Sequence, residues 1–440
     1  VLDRIQSIFR IPELRRKILF TLALLVVYRV GSYVPVPGID SQALMQAIDA
    51  ARNTLLGLYD MFAGGALRRA TIFALGIMPY ISASIIMQLL TAVIPYFEKL
   101  QKEGDEGRKK ITQYTRYGTV FLAMVQGYGI SIFLENIQHT GFVTTSAIVP
   151  NPGLSFRLLT ILTLTSGTVF LMWLGEQISE RGIGNGISLI IFTGIIARYP
   201  RDIRNTFSAV RNQELSFFKL AFLLMLMVVI VAGVVVMTQA MRKIPVQYAK
   251  RVVGRRIYGG QSTHIPLRVN TAGVIPIIFA QAILMFPSSI GTFFGKFEFM
   301  NTISSYMNPS QPLYNILYAI IIIFFAYFYT AIVFNPRDLA DNMQKYGGFI
   351  PGIRPGKRTS DYIDRVLTRV TLPGALFLAF IAILPSIFIH KFNAPFVFGG
   401  TGLLIVVGVA LDTLQQIESH LIMRHYEGFL KKGKLRGRNR

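Results

Sequence analysis

Apolar residues along this chain gather into ten runs separated by polar, glycine- and proline-containing stretches: 17–34, 71–94, 117–136, 157–174, 183–197, 219–238, 271–290, 313–334, 366–388 and 399–417. Most approach the roughly 20 residues with which an α-helix crosses a hydrocarbon core about 30 Å thick. The pattern therefore predicts ten membrane-spanning helices. The 183–197 run, only fifteen residues long, is the short one.

Charge gives the runs a direction. With the N-terminus taken as cytosolic, the N-terminal stretch, 95–116, 175–182, 241–270, 335–369 and the tail 421–440 hold 33 of the 45 Lys and Arg residues, and the opposite gaps hold 10. This is the positive-inside asymmetry, and it predicts that both termini are cytosolic. One gap departs from it: 198–219 carries Arg198, Arg201, Arg204, Arg211 and Lys219 on the predicted outer side. The bias is a sum over loops, so a single exception leaves the orientation standing.

Composition agrees with the pattern. Apolar residues make up 52% of the chain and charged residues 15%, well below the roughly 25% charged residues of a soluble domain. The 440 residues are thus expected to form one helical bundle rather than several globular domains. The formal charge of +23 follows from basic cytosolic loops lying over anionic lipid. The same loops suit acidic partners such as ribosomal RNA. There is no cysteine, so disulfide and thiol chemistry are excluded. The first apolar run is long and lacks a small-residue cleavage site, so no cleavable signal peptide is expected.

Two short segments recur. Gly76-Ile77-Met78-Pro79 is echoed by Gly273-Val274-Ile275-Pro276, and Gly184-Asn185-Gly186-Ile187-Ser188-Leu189-Ile190 by Gly400-Thr401-Gly402-Leu403-Leu404-Ile405-Val406. The offsets, 197 and 216 residues, are similar, as expected of two five-helix halves inserted in opposite senses. Chance matches between Gly- and Pro-containing membrane helices are the competing explanation.

Ion-coupled transporters bury charged or histidine side chains near the bilayer middle. Here the runs 71–94, 183–197, 219–238, 271–290 and 313–334 contain a single charge, Lys219. Asp412 and Glu418 fall toward the cytosolic end of the last run. His139, His264, His390, His420 and His425 form no metal-ligand spacing. Gly182–Gly186 does not follow a strand and makes no nucleotide cradle. No catalytic constellation, cofactor site or metal site is expected. Residues 54–67 are too short to cross and too apolar for a free loop. They predict either a re-entrant helix or an interfacial amphipathic one, with the pattern favouring the interface.

Seven long motifs carry a family resemblance: YRVGSYVPVPGID (28–40), IFALGIMPYISASI (72–85), KEGDEGRKKITQYTRYGT (102–119), WLGEQISERGIGNGISLIIF (173–192), QSTHIPLRVNTAGVIP (261–276), FNPRDLADNMQKYGGFIPGIRPGK (334–357) and FGGTGLLIVVGVALD (398–412). In this order and spacing they resemble the bacterial SecY family, the channel subunits of the Sec protein translocon. The resemblance runs from about residue 11 to the tail and is loose over 281–312 and at the extreme ends.

It implies an all-α polytopic membrane protein of the bacterial inner (cytoplasmic) membrane. Ten helices would form two inverted halves around a central hourglass pore. One half would be 1–200 (helices 1–5, with a plug at about 54–67), the other 201–440 (helices 6–10, with the basic loops and cytosolic tail). The implied pore ring is Ile77, Ile81, Ile187, Ile191, Ile278 and Ile405. The implied plug contains Thr54, Leu55, Leu58, Met61, Phe62, Gly64 and Gly65. The lateral gate between helices 2–3 and 7–8 would carry Ser82, Gln126 and Asn270. Arg251, Arg255, Arg256 and Arg354 would meet the motor ATPase SecA or the ribosome, its RNA included. SecE and SecG are the implied membrane partners, and signal sequences of preproteins and the lipid bilayer the implied clients.

The resemblance thus implies a protein-conducting channel without enzymatic activity, driven by a partner and releasing hydrophobic segments sideways. An aliphatic ring grips no passing side chain and excludes water from an empty neck by dewetting. About ten leucine-like residues of a signal core gain about 5 kcal/mol in lipid, at about 0.5 kcal/mol each. That outweighs several interhelical hydrogen bonds of about 0.6 kcal/mol. An ion-coupled small-molecule transporter is the first alternative, opposed by the missing intramembrane charges. A multi-pass membrane enzyme is the second, opposed by the missing catalytic cluster.

Overall fold

The apolar runs form helices, and several begin where a first turn needs no upstream partner. Pro12, Pro79, Pro95, Pro312 and Pro336 occupy the first or second helical position, where a missing N–H breaks no hydrogen bond. Asn185 and Asn335 cap the helices they precede, each side chain accepting from main-chain N–H groups of the first turn. The computed structural model describes residues 11–50, 59–60, 63–136, 148–213, 216–248, 251–253, 256–258, 262–293, 311–392 and 400–432.

In chain order the elements are α1 (Pro12–Gly31), α2 (Ser41–Ala50), α3 (Met78–Val93), α4 (Pro95–Lys102), α5 (Asp105–Asn136), α6 (Leu154–Arg181), α7 (Gly186–Ile196), α8 (Tyr199–Arg211) and α9 (Phe217–Gln239). Then come β1 (Met241–Tyr248), β2 (Arg251–Val253), β3 (Arg256–Tyr258), β4 (Ser262–Arg268), α10 (Ile275–Phe293), α11 (Pro312–Val333), α12 (Pro336–Lys345), β5 (Gly348–Phe349), α13 (Lys357–Phe392) and α14 (Gly400–Lys432).

Six stretches among the described residues are long and apolar enough to cross a membrane, within α5, α6, α9, α11–α12, α13 and α14. The pair α3 and α4, bent by 97°, would make a seventh. The remaining expected crossings take other forms. In α1 the basic residues Arg15, Arg16 and Lys17 stand at the start of the helix, before the apolar stretch, and Arg29 in its last turn. The short run at 183–197 yields only the 11 residues of α7, about 16 Å of helix at 1.5 Å per residue. The chain then continues as the separate helix α8. The runs expected at 71–94 and 271–290 open with non-helical turns, and helix starts only at Met78 and Ile275.

Those two late starts share a backbone. Gly76 has φ +58° and Gly273 φ +61°, a left-handed conformation that residues with a Cβ rarely adopt. In both copies a Pro-containing helix begins two residues after the glycine. The sequence echo is therefore also an echo of local structure.

Two compact units divide the chain. The first comprises 1–204, 282–309 and 409–440, the second 205–281 and 310–408. In the first, α5 packs along α3 and α6, and α6 also contacts α1 and α7. In the second, α11 packs along α13. Buried hydroxyls such as Thr119, Thr168, Thr238, Thr330 and Thr371 donate to the carbonyl four residues back at 2.6–3.0 Å. Each helix thereby satisfies its own polar side chains, as a medium without water requires.

The second unit adds a small antiparallel sheet, order β4-β1-β5, to the helical fold. Ile244 and Val246, two residues apart on β1, point to one face. With Leu267 they pack on Met343, Ile350, Ile363 and Leu367 of the segment from α12 into α13. Burying each such side chain contributes about 1.5–3 kcal/mol. Within the basic stretches, β1, β4 and the segment from α12 into α13 thus share one miniature core.

Candidate functional site

Four of the six ring isoleucines belong to the first unit, as two pairs one helical turn apart. Ile77 is the N-cap of α3, and its carbonyl accepts the Ile81 N–H at 3.1 Å. Ile187 and Ile191 are similarly spaced on α7. Residues four apart share a helix face, so each pair forms a short aliphatic stripe. Ile77, Ile81 and Ile191 are 1–3% exposed. Ile187 is half-buried and lies against Gly175 of α6. In the second unit, Ile278 near the start of α10 and Ile405 in α14 are also buried.

The described part of the 54–67 segment is Tyr59, Asp60 and Ala63–Leu67. Thr54, Leu55, Leu58, Met61 and Phe62 lie outside the described residues. Tyr59, Asp60, Ala63, Ala66 and Leu67 are buried. This corrects the interfacial reading that the amphipathic pattern favoured, because a helix lying on the bilayer would expose one face. Gly64 has φ +67°, and a Cβ there would stand 2.7 Å from Tyr28 Oη and 2.8 Å from Gly194 Cα of α7. Gly64 is the point where this segment meets α7 backbone to backbone.

Ser82 on α3 and Gln126 on α5 are both buried in the first unit. Gln126 Oε1 has no hydrogen-bond partner among the described residues. Asn270 precedes α10 and lines a narrow recess with Thr238, Val274, Gly374, Phe377 and Leu404.

Arg251 and Arg256 belong to β2 and β3, which pair antiparallel, Arg251 opposite Tyr258 and Val253 opposite Arg256. Arg255 lies outside the described residues. Arg354 is exposed on the 349–357 turn, between Gly352 and Gly356 at φ +81° and +93°. Its carbonyl accepts from Thr359 Oγ1 at 2.9 Å, and the buried Ile350 below it belongs to the miniature core. The turn is fixed from beneath while the guanidinium stays in solvent.

Three long-range ion pairs had no signature in the sequence. Arg116 and Glu176 form two bonds of 2.9 and 2.8 Å between α5 and α6. Arg157 and Glu135 form two of 2.9 and 2.7 Å, and Glu135 also accepts from Gly153 N at 3.0 Å. Arg198 stands 3.9 Å from Asp60. Such partners are 22 to 138 residues apart, beyond any helical spacing.

The SecY family model matches residues 71–414. The Protein translocase subunit SecY of Escherichia coli (strain K12) is 50% identical over 431 residues, covering 97% of this chain and 96% of that protein. The subunit of the same name from Aquifex aeolicus (strain VF5) is 47% identical, covering 98% of this chain and all of that protein. The fold is similar to a solved protein conducting channel, with a TM-score of 0.63 at 18% identity over 96% of this chain and 94% of the other. It is also similar to Sec61 in the canine ribosome–channel complex of the endoplasmic reticulum, with a TM-score of 0.58 at 17% identity and the same coverage. A likeness that runs the length of the chain in both sequence and fold leaves one conclusion: this chain belongs to the SecY family.

Proposed function

We propose that this chain is the protein-conducting channel of a bacterial translocase, passing unfolded preproteins across the membrane and releasing hydrophobic segments sideways into lipid. The observation that carries the reading is its end-to-end similarity to translocase subunits. The candidate ring supports it: six isoleucines with no charged residue in the runs around 77–81, 187–191 and 278. A neck of this kind is indifferent to the chemistry of the passing chain and closes to ions by dewetting. The protein is a channel subunit and not an enzyme, so the work of translocation comes from a partner.

In this reading Ile77, Ile81, Ile187, Ile191, Ile278 and Ile405 form the neck, and residues 54–67 the plug. Ser82, Gln126 and Asn270 form the latch of the lateral gate between the 1–200 and 201–440 halves. Arg251, Arg255, Arg256 and Arg354 form the surface offered to SecA or the ribosome. A ribosome partner is supported by fold relatives described in ribosome complexes, canine Sec61 and yeast Ssh1. SecE and SecG are the proposed membrane partners, in a bacterial inner membrane with both termini cytosolic. The test is reconstitution in liposomes with SecE and SecG. A preprotein should become protease-protected only when SecA and ATP are present. Ion-driven uptake of a small solute without preprotein transport would replace the channel by a carrier.

A further inference from the structure

Asp60 is a carboxylate on the candidate plug segment, only 4% exposed. Its Oδ1 accepts the Arg68 N–H at 2.9 Å, and its carbonyl accepts the Gly65 N–H at 2.8 Å. Its Oδ2 stands 3.9 Å from Nη1 of Arg198, two residues past the end of α7. Arg198 keeps 20% of its side chain exposed, and Nη1 itself is buried without a hydrogen bond. Four residues earlier Gly194 abuts Gly64, whose carbonyl accepts from Arg29 Nη1 at 3.3 Å. The plug segment therefore meets the end of α7 twice, once by close backbone packing and once by charge.

We propose that Asp60 and Arg198 are a latch that holds the plug segment against the end of α7 in the resting channel, so that displacing the plug requires separating this pair. The inference rests on reading residues 54–67 as the plug. Its geometry distinguishes it from the other two long-range pairs. In those, Arg116 donates to both Glu176 oxygens and Arg157 donates twice to Glu135 Oε2, with bonds of 2.7–2.9 Å between α5 and α6, charge-assisted hydrogen bonds of the strong kind. The Asp60–Arg198 pair has no direct hydrogen bond and attracts only across a gap. A contact of that kind holds a closed position without locking it. Arg198 is also the first of the five basic residues that break the charge rule on the predicted outer side, and Asp60 supplies a protein partner for that charge. Losing Asp60 leaves the buried Nη1 of Arg198 without this acid, which disfavours the arrangement in which the two face each other.

The test uses the full complex in planar bilayers, with melting temperature measured on the same preparations. Arg198→Gln removes one charge, and Asp60→Asn removes the other while keeping an acceptor for Arg68 N–H. Each single variant should raise resting ion conductance several-fold and melt near the parent. The double variant should leak no more than the worse single one. The charge swap Asp60→Arg with Arg198→Asp should return conductance toward the parent. Unchanged conductance in both single variants overturns the latch, as does a large fall in melting temperature without leakage. Deletion of 57–65 separates the two claims. If only the deletion leaks, the plug stands and the latch falls; if the deletion also stays tight, the plug reading itself is wrong.

Discussion

At the scale of single residues, the candidate neck asks for side chains that fill space and bind nothing. Ile191, 1% exposed on α7, is the sharpest probe. Ile191→Lys should hydrate the neck, because a cation in a narrow apolar passage brings water with it. Resting conductance should rise and weaker signal sequences should be accepted; unchanged conductance would remove Ile191 from the ring. Gly64 is a different kind of constraint. Its φ of +67° and its contact with Gly194 leave no room for a methyl group. Gly64→Ala should cost about 1–3 kcal/mol from backbone strain alone, read as a lower melting temperature. The resemblance placed Gly64 in the plug segment. It did not reveal these contacts, because Gly194 and Tyr28 approach Gly64 from distant parts of the chain.

At the scale of elements, the basic loops behave as a folded unit. Arg354 stands on a turn anchored by Ile350, so the two residues should fail in opposite ways. Arg354→Glu changes an exposed side chain, for which stability shifts are usually below about 0.5 kcal/mol. Losing an arginine that grips an acidic partner can cost about 2 kcal/mol or more in binding. The variant should therefore melt like the parent and lose SecA-driven translocation; a variant that melts far lower would make Arg354 structural. Ile350→Ala removes a side chain 3% exposed in the miniature core, a change that typically costs about 2–5 kcal/mol. Limited proteolysis should then cut within 335–369 faster than in the parent. The basic character of both stretches was legible from composition. Their pairing was not: β1 binds β5 through Gln247 opposite Phe349 and Tyr248 opposite Gly348, a contact across about a hundred residues.

At the scale of the whole molecule, the candidate plug segment is also part of the packed first unit. A segment that only sealed the pore would be dispensable for folding. The structure buries Tyr59, Asp60 and Ala63 in the first unit, and Asp60 organises the turn that follows through Arg68 and Gly65. Deleting 57–65 should still yield an inserted protein, because insertion depends on the apolar helices. It should also leak ions and melt below the parent. Leakage without loss of stability would mean that the buried contacts contribute little. An unfolded product without leakage would remove the plug role.

What the sequence determined by itself was the class of molecule. Helical spans follow from hydropathy, which acts on each segment against lipid and water without needing a partner. The Gly76 and Gly273 turns, by contrast, lay inside runs that hydropathy alone read as helix. The tertiary structure decided which segments touch. It alone revealed the α7–Gly64 crossing, the Asp60–Arg198 pair and the sheet joining 241–268 to 348–349. Those contacts depend on chain segments that no period or spacing connects, and only folding brings their atoms within reach of short-range forces.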